Sequence, residues 1–291
     1  MSAKHPIISV TGSSGAGTST VQHTFNQIFR REGVKAATIE GDAFHKFDRM
    51  NMKKEFEKQK EAGNHTFSYF STEANILGEL EGIFETYGKT GKGKNRFYVH
   101  NDNEAKIHGT PSGTFTDWAP FEDGTDVLFY EGLHGAVSTD DINVASHVDL
   151  KIGVVPVINL EWIQKHHRDK NQRGYSTEAI TDVILRRMHD YVNVITPQFS
   201  NTDINFQRVP IVDTSNPFIA RWIPTAGESL VVIRFANPRG IDFSYLTNMI
   251  HNSFMSRANS IVVPGDKMDI AMQLILTPLI HRLIDNSRKA R

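Results

Sequence analysis

A strand-like run, Ile7-Ile8-Ser9-Val10-Thr11, passes without a break into Gly12-Ser13-Ser14-Gly15-Ala16-Gly17-Thr18-Ser19, and Thr20 to about Arg31 reads as a helix. Strand, glycine-rich turn and helix in that order form a phosphate-binding loop, and nothing else in the chain limits its fold as strongly. Glycines tolerate φ > 0, so several backbone N–H groups can converge on one anion. The helix aims its own first N–H groups at the same point. The pattern GxxxxGK[ST] places lysine where this chain has Thr18, while Ser19 keeps the hydroxyl that such loops present to Mg²⁺. Residues Gly12, Ser13, Ser14, Gly15, Ala16, Gly17, Thr18, Ser19 and Thr20 are therefore expected to cradle a nucleoside triphosphate. The cation missing from the loop must come from elsewhere. In other surroundings such a stretch is only a tight turn; the strand before it and the helix after it decide the matter.

The rest of the composition excludes more than it identifies. With 32 basic and 33 acidic side chains the net charge is −1, so the chain lacks the basic footprint of a general nucleic-acid binder. Cysteine is absent, which removes disulfides, thiolate metal sites, cysteine nucleophiles and thiol switches. Met1 to Pro6 carries no apolar signal region, and no apolar run approaches the ~18 residues of a membrane span. The expectation is a cytoplasmic protein of one domain over residues 1–291, since strand runs are spread along the chain without a linker.

Further strands are expected at Ala36–Glu40, Val127–Tyr130, Val148–Val155, Val209–Asp213 and Leu230–Phe235, with Ser260–Val263 as a late edge strand. Helical spacing marks Met50–Ala62 as a charged surface helix and Thr72–Tyr87 as an amphipathic one with Ile76, Leu77, Leu80, Ile83 and Phe84 inward. Asn159–Asn171 and Ser176–Asp190 read as two basic helices. Asp266–Ile284 reads as a helix that Pro278 should kink or break. Gly88–Gly124, rich in glycine, lysine and asparagine, reads as an excursion from the sheet with a hairpin near Arg96–His100. Its Lys89, Lys92, Lys94 and Arg96 are expected on a solvated face, with a mobile lid or effector contact as the sharper alternative. Strands alternating with crossover helices imply an α/β fold of phosphate-loop type, a largely parallel sheet with helices on both faces and some antiparallel strands near the C-terminus.

In open α/β sheets ligands bind beyond the carboxyl ends of the strands, where Asp42, Glu131 and Asp213 fall. Asp42 could take a proton from an acceptor hydroxyl, work that contributes ~10²–10⁴-fold; the plainer alternative is a cap or turn aspartate. Glu131, between an apolar strand and Gly132, has the position of a Mg²⁺-side acid, or of a simple turn acid. Asp213 fits a structural role better. Lys165 and Asp169 stand four apart, on one helix face, with Arg168 close to both. Lys165 is the best candidate for the absent loop cation, because phosphoryl transfer asks a protein mainly for positioning and charge neutralisation. Taken alone, the pair would be an ordinary surface contact worth ~0.2–0.5 kcal/mol. Arg173, Arg186 and Arg187 add guanidinium groups suited to a phosphate monoester, and His45 and Arg49 lie near Asp42 in sequence. His166-His167 lack metal-ligand spacing. His134 stays unassigned, and His100 is a faint candidate for the substrate pocket.

Taken together, the Gly12–Ser19 loop, Glu40-Gly41-Asp42-Ala43-Phe44-His45, Phe129-Tyr130-Glu131-Gly132-Leu133-His134, the run Lys165 to Gly174 and Asp213-Thr214-Ser215-Asn216-Pro217-Phe218-Ile219-Ala220-Arg221 closely resemble the bacterial class of phosphoribulokinases across essentially the whole chain. That class carries the threonine variant of the loop. The resemblance implies ATP-dependent phosphorylation of ribulose 5-phosphate at O1. It implies Asp42 as base, Glu131 and Asp169 as metal-side acids with Ser19, and Lys165 on the transferring phosphoryl group. His45, Arg49, Arg168 and Arg173 would hold the sugar phosphate. It further implies an octamer activated by NADH and inhibited by AMP, with Arg31, Arg234 and Arg257 as effector candidates that could equally be interface or surface charges. The plant-type class is switched by a disulfide that this chain cannot form. Two alternatives remain: a kinase for uridine or pantothenate, which leaves the Arg49, Arg168 and Arg173 cluster unexplained, and a regulatory protein that binds ATP without transfer.

Overall fold

The computed structural model describes residues 4–13 and 18–291, with only the backbone of Thr18, Ser19, Gln172 and Arg173. Eight strands form one sheet: β1 (Ile7–Thr11), β2 (Ala36–Glu40), β5 (Val127–Gly132), β6 (Leu150–Val155), β7 (Ile204–Pro210), β8 (Ser229–Phe235), β9 (Phe254–Arg257) and β10 (Ser260–Pro264). Their spatial order is β2-β5-β1-β6-β7-β8-β10-β9, and a two-stranded sheet joins β3 (Lys94–Asn95) to β4 (Ala119–Pro120). From β2 to β7 neighbouring strands run parallel, whereas β8, β10 and β9 each run antiparallel to the strand before. The α/β class and its antiparallel C-terminal third are as expected.

Strand side chains alternate faces, and here both faces are covered. Ile8, Val10, Phe129, Ile152 and Phe206 point into a core roofed by α1 (Thr18–Arg31) and α9 (Met268–Ala290). Ile7, Ile39, Leu128 and Tyr130 point the other way, onto Leu80, Ile83 and Phe84 of α3 (Leu77–Thr90). Each such side chain, fully buried, stabilises the fold by about 1.5–3 kcal/mol before entropy is counted.

Several boundaries differ from expectation. The fifth main strand is Ile204–Pro210, five residues early, because Ile204 and Phe206 alternate with polar Asn205 and Gln207, while the apolar Ile211 beyond it is 62% exposed. Ser260–Pro264 is not an edge: β9 pairs outside it, and all four residues of β9 are exposed, Phe254 and Met255 included, so the strand has no buried face to mark it. The first turn expected at Thr72 is a separate 3₁₀ turn, Thr72–Ala74, and α3 starts at Leu77. The last helix continues through Pro278, held by Ala271, Met272, Ile275, Ile280 and Ile284 in the core.

The excursion is itself a long hairpin. Its arms pair at Lys94–Pro120, Asn95–Ala119 and Tyr98–Phe115, and α4 (Asp102–His108) sits near its tip, so Arg96–His100 lie along an arm and not at a turn. Arg96 does not belong to a solvated face: its guanidinium packs 3.9 Å from the Phe115 ring centre and 4.9 Å from that of Trp118. It donates to the carbonyls of Ala43 at 2.8 Å and His45 at 3.0 Å. Lys94 bonds Glu79 at 2.8 Å; Lys89 and Lys92 are exposed.

Gly41 and Gly132 press together where the turn after β2 meets the end of β5. A Cβ on Gly132 would come within 2.6 Å of Gly41 Cα and 2.7 Å of the Tyr130 hydroxyl. Backbone cannot step aside as a flexible side chain can. Gly132→Ala is expected to cost about 1–3 kcal/mol, read as a fall in Tm of roughly 2–4 °C per kcal/mol. An unchanged melting curve would show that this contact is loose.

Candidate active site

Asp42 leaves β2 on a 3₁₀ turn, Gly41–Phe44. Its Oδ1 lies 3.3 Å from Nε2 of His45 and its Oδ2 3.6 Å from Nε2 of His100, which the hairpin arm brings in; the carboxylate keeps 44% exposure, so a substrate can reach it. Burial of the site works to raise the Asp42 pKa. The hydrogen bond and charge of His45, with the charges of His100 and Arg187, outweigh burial and hold it at about 2. Arg49 opens α2 (Arg49–Glu61), whose N-cap is Asp48, and donates to the His100 carbonyl at 2.7 Å and to the Ser112 hydroxyl at 3.2 Å.

A second cluster lies on α5 (Ile158–Arg173). Lys165 and Asp169 are almost wholly buried and bonded to each other, and Arg168 Nε donates to the other Asp169 oxygen at 3.1 Å. Burial, then the charges of Arg187 and Arg168, push the Lys165 ammonium down to about 8 against the pull of Asp169. One turn earlier on the same face is Glu161, 6% exposed. Burial pushes its carboxyl up to about 7, opposed by the Ser13 and Tyr191 hydroxyls and by Arg187 and Lys165. Its spacing of four from Lys165 is the one signal in the sequence that sets Glu161 on this helix face.

Arg187, on α6 (Thr177–Asp190), is common to both clusters. Its charge acts on Asp42, Lys165 and Glu161, and burial lowers its own pKa to about 10 although Asp169 supports it. Its guanidinium lies 4.9 Å from the Phe70 ring centre, and that of Arg186 lies 4.4 Å from Phe56.

Of the phosphate-loop residues, Gly12 donates its N–H to the Gly132 carbonyl at 3.1 Å, and Ser13 is fully buried. Ser14, Gly15, Ala16 and Gly17 lie outside the described residues, as do the side chains of Thr18, Ser19 and Arg173. The Thr20 carbonyl accepts from Thr24 within α1. Glu131 is half-buried at the carboxyl end of β5, in register with Glu40 and Val10 on either side. Among the described residues no group of three His, Asp or Glu gathers as a metal cage. Mg²⁺ is commonly held by one or two carboxylates with phosphates and water completing its shell; of the two acids expected on its side, Asp169 is bonded to Lys165 and Arg168, and Glu131 ends β5.

His134 is buried and pushed down to about 4, so it stays neutral and donates Nε2–H to the Phe70 carbonyl at 3.2 Å. His167 meets the Ala220 carbonyl at 2.9 Å. Asp213 closes a turn by accepting from the Ser215 N–H at 2.8 Å. The effector candidates lie away from this site, at the amino ends of the parallel strands. Arg31 ends α1 and bonds Glu32, Gln273 and Thr277, while Arg234 and Arg257 flank Ser260 on adjoining strands. No helix among the described residues is long and apolar enough to cross a membrane.

Comparison with known proteins agrees with this geometry. Residues 7–215 match the model of the "Phosphoribulokinase / Uridine kinase family". The chain is 70% identical over 290 residues to "Phosphoribulokinase 1" of Cereibacter sphaeroides, spanning 100% of both chains. It is 67% identical over 290 residues, again spanning 100% of both, to "Phosphoribulokinase" of Nitrobacter vulgaris. Among solved structures it superimposes on "Phosphoribulokinase from Rhodobacter spheroides" with a TM-score of 0.91 at 68% identity, covering 99% of this chain and 100% of that one.

Proposed function

The chain belongs to the phosphoribulokinase / uridine kinase family, and from that membership we propose how its residues share the transfer of the γ-phosphoryl group. It is an ATP-using kinase with phosphoribulokinase activity, producing the ribulose bisphosphate used in carbon fixation. The acceptor is ribulose 5-phosphate and the attacking atom its O1. Asp42 accepts the O1 proton as that oxygen bonds to phosphorus, and ADP leaves. Lys165 supplies the cation that Thr18 does not, meeting charge that grows on the phosphoryl oxygens. Arg49, Arg168 and Arg173 bind the 5-phosphate, with His45 lining the same side. Mg²⁺ would be held by Glu131, Asp169 and Ser19, where it would neutralise phosphate charge. Such chemistry needs little beyond alignment and electrostatics.

The observation carrying this reading is a convergence at the carboxyl ends of the parallel strands: the turn bearing Asp42 follows β2, Glu131 ends the adjoining β5, and the start of the phosphate loop follows β1, with Gly12 bonded to Gly132. By likeness to the bacterial class, the assembly is an octamer, with NADH activating and AMP inhibiting through Arg31, Arg234 and Arg257 at the sheet's far end.

A competition assay tests the acceptor. Offered ribulose 5-phosphate, uridine and pantothenate together, the protein is expected to phosphorylate the sugar phosphate. Uridine and pantothenate lack a phosphate monoester for the arginines. Turnover of either of those two alone would overturn the assignment.

A further inference from the structure

Behind Asp42 stands a chain of contacts that the roles above leave unused. His45 is 6% exposed and its ring nitrogens face two different partners: Nε2 the Asp42 carboxylate at 3.3 Å, Nδ1 the Asn75 Oδ1 at 2.8 Å. The orientation of the Asn75 amide is not free. Its Nδ2 donates to the carbonyls of Tyr69 at 3.0 Å and Ser71 at 2.8 Å, and a flipped amide would set oxygen against both. Oδ1 therefore faces His45, and an amide oxygen only accepts. Nδ1 of His45 must carry the proton in this contact. The backbone enforces the pairing: Ile76 N–H donates to Phe44, and Lys46 N–H to Ala74, each at 2.8 Å.

The consequence falls on Nε2. In neutral imidazole one nitrogen donates and the other accepts. With the proton fixed on Nδ1, Nε2 turns a lone pair toward a carboxylate that is also an acceptor. The contact becomes a hydrogen bond only when one further proton sits between them. We propose that Asn75 is a positioning residue for phosphoryl transfer, holding His45 in the Nδ1–H tautomer so that Asp42 and His45 together form the acceptor of the O1 proton. This rests on the reading of Asp42 as base. As the O1–H bond breaks and O1–P forms, the proton passes to Asp42 and is shared with Nε2, giving an imidazolium; the β,γ-bridging P–O bond breaks with ADP. The proton then leaves to water through the exposed edge of Asp42.

The other titratable groups facing the pair are His100 and Glu40, Arg187 from α6, Tyr69 and Tyr98 against the ring, and His134. None competes for Nδ1. Two acceptors that face each other bind one shared proton more tightly than either does alone.

Nitrogen-15 spectra of the whole protein decide the tautomer directly, with the His45 signals assigned by their loss in His45→Gln. The neutral ring is expected to carry its proton on Nδ1; a proton on Nε2 would overturn the proposal whatever any variant does. Asn75→Leu removes the acceptor and frees the ring to donate Nε2–H to Asp42. Its kcat is expected to fall at least about 10-fold with KM for ATP unchanged, and the acid limb of kcat/KM to move about one pH unit lower. Asn75→Asp keeps an acceptor at Nδ1 and should hold the limb at or above its wild-type position. A folded Asn75→Leu protein with wild-type kcat and pH profile would sink the inference. If Asp42→Asn abolishes turnover while Asn75→Leu does not alter it, this inference alone falls; if Asp42→Asn turns over normally, the base assignment falls with it.

Discussion

Asp42→Asn is expected to lower kcat by about 10²–10⁴-fold while ATP still binds. Asparagine fills the same volume and can keep a contact with His45, but it cannot take up the O1 proton. The phosphate loop and Lys165 lie on other elements and are untouched, so nucleotide affinity measured by titration should stay near wild type. A merely capping aspartate would behave differently, with some loss of stability and ordinary turnover. The stability effect has its own sign. The carboxyl is lowered from 3.8 to about 2 in the folded protein, so what Asp42 contributes to stability is complete above about pH 4 and lost as pH falls through about 2. Wild type and variant should therefore converge in stability in acid. Turnover by Asp42→Asn within a few-fold of wild type would remove Asp42 from the chemistry.

The residues legible in sequence were those whose meaning is local. The loop from Gly12 to Ser19 announces itself by glycine spacing, Asp42 and Glu131 by standing where apolar runs stop, and Lys165 and Asp169 by a separation of four. Contacts made through space left no such trace. Asn75 is 30 residues from His45, and Arg96 reads as one more lysine-run charge until Phe115 and Trp118 close over it. The importance of Arg187 depends on α6 packing beside both clusters. Strand errors have a similar origin: β7 alternates polar with apolar residues, and β9 buries nothing. Of the two outcomes expected at Pro278, the break does not occur, since its local penalty of about 3 kcal/mol is offset by the apolar face that α9 buries against the sheet.

Lys165→Met should show its loss in kcat, by about 10²–10³-fold, with little change in KM for ATP. An ammonium that meets charge developing during transfer helps the transition state more than the bound substrate, and only such a difference speeds the chemical step. A pure rise in KM would mean that Lys165 grips ground-state phosphate. Misfolding is the first objection. Removing one partner of a buried ion pair costs about 3–5 kcal/mol when it strands the other charge, but Asp169 retains the Arg168 Nε contact at 3.1 Å, and methionine fills the lysine stem's volume. The fall in Tm should accordingly be modest. A pH profile separates charge from packing. Burial, with Arg187 and Arg168, brings the Lys165 pKa down from 10.5 to about 8 despite Asp169. As pH rises through that value the free protein loses the ammonium, so wild-type kcat/KM should decline above about pH 8. The residual rate of Lys165→Met has no ammonium to lose there and should lack that limb. Were the limb to persist unchanged in the variant, another group would own it, and the cation missing from the phosphate loop would have to be sought in Arg168 or Arg187.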